Sequence, residues 1–159
     1  MMAGRVIALW VGIMEYDLDV NALRASFLVA AQDPDLMLRF YARLFERHPS
    51  LRRLFDGRII PVQADLVTRA LFLLLDELEQ PALLRRNLHA LGVRHLRYGV
   101  QEEMYAWVGV SFVDTLAESL GTSWTPRIQF AWQEAYGVVA ALMVEGAELS
   151  GVPTLRAAS

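Results

Sequence analysis

Cysteine is absent from the 159-residue sequence, which excludes disulfides, zinc–thiolate centres, iron–sulfur clusters and cysteine nucleophiles. An excess of basic charge is missing too. The formal net charge is −3 and the pI about 5.6, which argues against a nucleic-acid partner. Gly-rich phosphate loops, His-Glu-x-x-His motifs and nucleophile elbows do not occur either. The sequence therefore fits a reducing cytoplasm and lacks the signatures of most enzyme families.

A stretch long enough to cross a membrane is also lacking. Val6 to Met14 is nearly all apolar, but these nine residues cannot span a bilayer as a helix. Glu15, Tyr16 and Asp17 follow, and they offer no small-residue cleavage site for a secretory signal. Two interpretations of the segment stay open: a short helix packed on the fold, or a true translation start near Met14. We expect no membrane span and a cytoplasmic location.

Residues typical of helix starts and helix ends divide the rest of the chain into segments. Three prolines follow residues that can precede a helix start, in Asp33-Pro34, Gln80-Pro81 and Thr125-Pro126. Three glycines stand where helices should stop, at Gly57, Gly99 and Gly121. Between these marks apolar residues recur at spacings of three and four, and alternating strand patterns are absent. We predict an all-α domain with helices near 18–30, 34–47, 49–55, 61–78, 82–97, 100–120 and 125–149, and an eighth before residue 15 if that segment is helical.

Only three histidines could bind a metal ion, at His48, His89 and His95. On a helix the six-residue separation of His89 and His95 amounts to about 240°, so the two cannot bind one ion together. His48 lies at a predicted helix junction and is expected to be exposed. Residue spacing alone therefore leads no further than an all-α domain.

A resemblance to a known family leads further, and it rests on three segments. Residues 40–55 read Phe-Tyr-Ala-Arg-Leu-Phe-Glu-Arg-His-Pro-Ser-Leu-Arg-Arg-Leu-Phe, residues 91–100 read Leu-Gly-Val-Arg-His-Leu-Arg-Tyr-Gly-Val, and residues 131–137 read Ala-Trp-Gln-Glu-Ala-Tyr-Gly. In this order they resemble bacterial haemoglobins and the globin domains of flavohaemoglobins. The resemblance implies a globin fold of seven to eight helices around a haem pocket. We expect a single domain over 1–159, with a core at 18–149 and an N-terminal extension at 1–15.

The resemblance also assigns the residues around the iron of haem b. His95 matches the proximal ligand, and one imidazole leaves the sixth iron position open for dioxygen or another diatomic gas. Gln63, 32 residues earlier, has the family's spacing for the distal residue, and Tyr41 matches the distal tyrosine. Both side chains can donate hydrogen bonds. Dioxygen gains partial negative charge on ferrous haem, so two donors should slow its release.

The same resemblance implies roles at the haem for four more residues. Phe55 matches the phenylalanine that packs flat on the porphyrin, and Val67 falls on the helical face of the distal residue. Arg94 is placed to pair with a haem propionate. Tyr105 matches the tyrosine that accompanies the proximal histidine.

The sequence departs from the family at two places. The family pairs that tyrosine with a glutamate, but the expected position holds Ala147, with Glu145 and Glu148 nearby and rotated away. Residues beyond a ligand tune its basicity, so this absence weakens a prediction of oxygen activation. Relatives often have Tyr-Pro where this chain has Tyr-Ala-Trp, and the sequence gives no function for Trp107.

Reversible binding of dioxygen or another diatomic gas is the primary functional prediction. The alternative is a nitric oxide dioxygenase, which would need an external reductase because no flavin or nicotinamide module is recognisable. A gas-sensing globin is the third interpretation, although no output domain is recognisable. Whether the protein is an enzyme stays open at this point.

Overall fold

The computed structural model describes residues 16–153, which form helices and no β-strand. Six are α-helices: α1 (Val20–Ala30), α2 (Leu36–Arg47), α3 (Ile60–Glu77), α4 (Pro81–Arg97), α5 (Glu102–Leu120) and α6 (Pro126–Leu149). Two are 3₁₀ helices, Pro49–Phe55 and Gly121–Ser123. The predicted all-α fold is confirmed. The helix at 49–55 is a 3₁₀ helix, the one at Gly121–Ser123 was not predicted, and the helix expected before residue 15 lies outside the described residues.

The ends of the helices show how local sequence sets them. Thr125 accepts a hydrogen bond from the Ile128 backbone N–H at 3.2 Å, and α6 starts at the proline between them, as predicted. The prediction for α2 was two residues early. The Asp33 carboxylate accepts from the Asp35 N–H at 2.9 Å, which holds residues 33–35 in a turn and delays the helix. Gly99 ends α4 with a φ of 93°, a conformation that favours glycine.

The apolar side chains form two clusters. The larger cluster lies among α1, α2, α3, α5 and α6 and includes the fully buried Phe27, Leu44 and Leu116. The smaller cluster lies between α4 and α6, around Leu84 and Leu142. Helix α4 therefore packs mainly on α6 and touches α3 over a short stretch only. No helix within residues 16–153 is long and apolar enough to cross a membrane.

Helices α4 and α6 cross at backbone contact distance. A Cβ added to Gly92 would lie 1.9 Å from the Met143 carbonyl oxygen, and one added to Gly146 would lie 2.3 Å from the His89 Cα. Only glycine fits at either position, since real Cβ contacts do not come this close. The crossing fixes the position of α4 three residues before His95.

Candidate functional site

Tyr41 is surrounded by three aromatic rings from two neighbouring segments, those of Phe40, Phe45 and Phe55. The ring centroids of Tyr41 and Phe55 lie 5.3 Å apart and those of Phe45 and Phe55 also 5.3 Å apart, both edge to face. The Tyr41 and Phe45 rings stack at 5.8 Å. Tyr41 is only 4% exposed, so its hydroxyl lies in an apolar environment. The structure thus brings the predicted Tyr41 and Phe55 together.

Gln63, on the first turn of α3, lies near the Tyr41 hydroxyl. Burial raises the pKa of Tyr41 to about 12, while a hydrogen bond from Gln63 and the charge of Arg58 act in the opposite direction. Val67, one turn after Gln63, is half-buried against the larger cluster.

His95 lies near the end of α4 with one ring nitrogen already bonded. Its Nδ1 lies 2.9 Å from the Leu91 carbonyl oxygen. A carbonyl only accepts, so Nδ1 carries the proton and Nε2 presents a lone pair. Burial lowers the pKa of His95, and the charge of Arg94 adds to that effect, which favours the neutral ring. A neutral imidazole with a free Nε2 is the form that binds iron.

Tyr105 lies beside His95, as the resemblance implied. The two ring centroids are 6.4 Å apart with an interplanar angle of 26°. Burial raises the pKa of Tyr105 to about 12. Tyr136 donates a hydrogen bond from its hydroxyl to the Tyr105 backbone oxygen at 2.6 Å, and its ring fills the space beside Gly109. Helix α6 thereby holds the start of α5 against His95.

Contacts at the ends of α3 and α4 bring the two halves of the site together. The Arg58 guanidinium lies over the Tyr98 ring, 5.0 Å from its centroid. The Leu54 side chain approaches Gly99 at the end of α4, 3.6 Å from where a Cβ would lie. Because Arg58 precedes α3 and Tyr98 follows α4, the start of α3, which carries Gln63, lies beside the end of α4, which carries His95.

Arg94 is exposed, as expected for a side chain at the edge of a haem. Sequence reasoning missed Arg58, because an exposed arginine in a short loop carries no periodic or motif signal. It also left Trp107 unexplained and predicted His48 to be exposed. The Trp107 and His48 rings stack in parallel with centroids 4.6 Å apart, and His48 is half-buried.

The Glu145 side chain points away from Tyr105 and contacts two residues of α4 instead. One carboxylate oxygen lies 2.7 Å from Arg85 and the other 2.8 Å from His89 Nε2, both on α4. His89 thus faces α6 and takes no part with His95. Within residues 16–153 no group of three His, Asp or Glu side chains could hold a metal ion.

These residues fit haem and not a free metal ion. A single neutral imidazole with an open Nε2, a half-buried phenylalanine and an exposed arginine supply a ligand, a ring contact and a cation for a propionate. Tyr41 and Gln63 place polar groups in an otherwise apolar region, as the small-molecule pockets of proteins generally do.

The comparisons with known proteins agree with this description. The globin family profile matches residues 38–143. The flavohaemoprotein of Rhizobium meliloti is 30% identical over 126 residues, which cover 77% of this chain and 31% of that protein. The anaerobic nitrite reductase HBII of Casuarina glauca is 29% identical over 126 residues, 70% of this chain and 79% of that one. This chain thus spans about a third of the flavohaemoprotein's length.

Solved structures show the same fold. An engineered carbene transferase from Rhodothermus marinus superposes with a TM-score of 0.71 at 27% identity, over 84% of this chain and 94% of that one. The bacterial globin of Campylobacter jejuni superposes with a TM-score of 0.70 at 19% identity, covering 82% and 95%, and it supports the fold alone.

The fold and the comparisons together define an all-α haem protein. The chain belongs to the globin family, and its cofactor is haem.

Proposed function

We propose that this globin binds dioxygen or another diatomic gas reversibly, with His95 as the proximal ligand and Tyr41 and Gln63 in the distal pocket. Haem supplies the iron at which the gas binds. The observation that supports this most is the burial of Tyr41, which is 4% exposed and places a hydroxyl donor beside the Gln63 amide. Phe55 and Val67 would contact the porphyrin, Arg94 a propionate, and Tyr105 the far side of His95.

The ligand assignment is tested by haem retention. His95→Ala should abolish the Soret band after haem reconstitution, because no other residue would supply the iron with an Nε2 lone pair. His89→Ala is the matched control, since it removes a second half-buried histidine from the same helix and should keep haem. A His95→Ala protein with full haem content and wild-type helicity would refute the assignment.

The distal assignment is tested by the rate of oxygen release. Tyr41→Phe removes a donor to a partly negative ligand, a contact worth about 1.5–3 kcal/mol, so dioxygen should dissociate roughly 10- to 100-fold faster. Tyr98→Phe removes an exposed hydroxyl at the edge of the site and serves as the control. Flash photolysis and stopped-flow mixing measure both rates. Equal rates in wild type and Tyr41→Phe would mean that Tyr41 does not reach the ligand.

Nitric oxide dioxygenation is the second candidate, because flavohaemoproteins are among the relatives. Repeated turnover would need an external reductase, which we propose as a partner. The Glu145 carboxylate is engaged by Arg85 and His89, so it does not support Tyr105. We therefore expect one rapid oxidation of nitric oxide per oxygenated protein in stopped-flow mixing. Steady turnover with added flavin reductases would make the enzyme the main function.

The remaining sequence predictions are proposed on the same basis. We infer one globin domain over 1–159 and a cytoplasmic location, which the lack of cysteine and of an apolar spanning helix in the described residues supports. Fractionation of the native host with an antibody to the protein tests the location.

A further inference from the structure

Helix α3 exposes a line of apolar side chains to solvent. Val62, Leu66 and Leu73 are 54%, 53% and 63% exposed, and Ile59, which directly precedes the helix, is 68% exposed. Ala70 is exposed as well and lies between Leu66 and Leu73. We call these five residues the α3 stripe. Single exposed apolar side chains are ordinary on a protein surface, whereas a contiguous group usually marks an interaction site.

The α3 stripe lies on an outer face of the helix. Its members follow one another at spacings of three, four, four and three residues, which keeps them on one side of α3. Val67 comes directly after Leu66, so it points about 100° away round the helix, and it is half-buried against the larger cluster. The buried residues of α3 are Ala64 and Leu75. The α3 stripe is therefore separate from both the core face and the proposed pocket face of the helix.

The α3 stripe is symmetric about Leu66. Ile59 and Leu73 each lie seven residues from Leu66, and Val62 and Ala70 each lie four. If a second α3 packs antiparallel with a two-fold axis at Leu66, Ile59 of each copy meets Leu73 of the other. Val62 meets Ala70 in the same way, and Leu66 meets its own copy. Every apolar member then has an apolar partner, as the self-complementary interface of a two-fold dimer requires.

Two charged residues beside the α3 stripe fit the same arrangement. Asp65 and Arg69 are exposed on one edge of it, and within residues 16–153 neither forms an ion pair. A two-fold axis at Leu66 reverses the direction of the second helix and brings this edge beside the same edge of the other copy. Asp65 of one copy then lies at nearly the same height as Arg69 of the other. Opposite charges would thus meet across the interface, which favours this register over others.

We propose that the α3 stripe is the contact surface of a weak homodimer, in which two copies of this chain pack antiparallel about Leu66. At a helical rise of 1.5 Å per residue the stripe is about 21 Å long. One helix face of this length is smaller than the roughly 800 Å² per partner of a standard interface, so we expect a dissociation constant in the micromolar range. This surface lies outside the proposed haem site, and its role does not depend on gas binding.

Sedimentation velocity of the haem-loaded protein over a range of concentrations tests the dimer. The wild type should pass from monomer to dimer as its concentration rises. Leu66→Glu places two carboxylates against each other at the two-fold axis, so association should weaken by roughly 100-fold. Val110→Glu is the matched control, because it adds the same charge at a 60% exposed apolar position on α5 and should associate as the wild type does.

A charge swap at Leu66 tests the antiparallel register. Leu66→Lys alone should associate as poorly as Leu66→Glu, because two ammonium groups meet at the axis. A mixture of the two variants should form dimers again, since opposite charges then face each other. The Soret band and circular dichroism check that each variant is folded and haem-loaded. A mixture that stays monomeric while the wild type dimerises overturns the arrangement about Leu66.

Other occupants of the α3 stripe would give different results, and each result overturns the proposal. A wild type that stays monomeric, with Leu66→Glu less stable in urea than Val110→Glu, would assign the stripe to residues of the same chain outside 16–153. A monomeric wild type with two equally stable variants would leave the stripe to a different protein. A dimer that Val110→Glu disrupts and Leu66→Glu does not would lie on another face.

Discussion

The two sides of the site are held in different ways. The proximal side is fixed by backbone: Gly92 and Gly146 bring α4 and α6 into direct contact, and Glu145 ties the same helices by two polar contacts. The distal side depends on side chains, with Tyr41 held by aromatic rings and by Gln63. The difference indicates that α4, which carries the proposed iron ligand, is held rigidly, while the proposed gas-binding pocket can be altered by a single substitution.

Gly92→Ala should have the largest effect on this comparison. The new Cβ would meet the Met143 carbonyl oxygen at 1.9 Å, and a backbone group cannot move aside as a flexible side chain can. We expect a loss of about 3 kcal/mol in the free energy of unfolding, the upper end of the usual cost of overpacking. Urea unfolding followed by far-ultraviolet circular dichroism measures it.

Gly137→Ala provides the control for that experiment, because a Cβ at Gly137 in α6 meets nothing within 4 Å. It should stabilise the protein by up to about 1 kcal/mol through helix propensity. If the two alanine variants were equally stable, α4 would not be fixed by the crossing.

Glu145→Gln should have an intermediate effect on the proximal side. The carboxylate and its two partners are 22–23% exposed, so solvent screens the contacts only in part. We expect a loss of roughly 1–2 kcal/mol, more than for a fully exposed pair and less than for a buried one. Glu148→Gln, at an exposed position one turn on, should cost almost nothing. A Glu145→Gln protein as stable as Glu148→Gln would show that these polar contacts add nothing to the glycine crossing and the smaller apolar cluster.

Tyr41→Phe should have the smallest effect on stability near neutral pH, and its distinguishing effect should appear in alkali. The folded-state pKa of about 12 exceeds the ordinary value of 10.0, so the folded protein binds this proton more tightly than the unfolded chain does. The corresponding stability is present below pH 10 and is lost as the pH rises towards 12. At pH 11 the wild type should have lost about 1.4 kcal/mol through Tyr41, and the variant should be spared this loss.

Urea unfolding at several alkaline pH values measures that slope. Tyr98→Phe, which removes an exposed hydroxyl, should keep the wild-type slope. An unchanged slope in Tyr41→Phe would show that the hydroxyl is less enclosed than its 4% exposure indicates.

The sequence was sufficient for the helices, because their apolar periodicity and terminal residues are local signals. Thr125 caps the start of α6, and Gly99 follows the end of α4, as predicted. Asp33 was misassigned because its carboxylate bonds within a turn that resembles a helix start. The pairing of Tyr41 with Gln63 agrees with the resemblance and could not be derived from spacing alone.

Contacts between distant segments could not be predicted from the sequence. Periodicity places Glu145 on a face of α6, but which residues of α4 it meets depends on the angle at which the two helices cross. That angle is permitted by two glycines 54 residues apart, and neither carries a signal by itself. The stack of Arg58 on Tyr98 is another such contact, and no short motif encodes it.

The crossing of α4 and α6 also bears on how the protein is made. Chains emerge from the ribosome in sequence order, so α4 leaves the exit tunnel well before the helix on which it packs. Until α6 follows, the smaller apolar cluster has only one of its two walls. The nascent chain should therefore capture haem stably only after α6 has been synthesised.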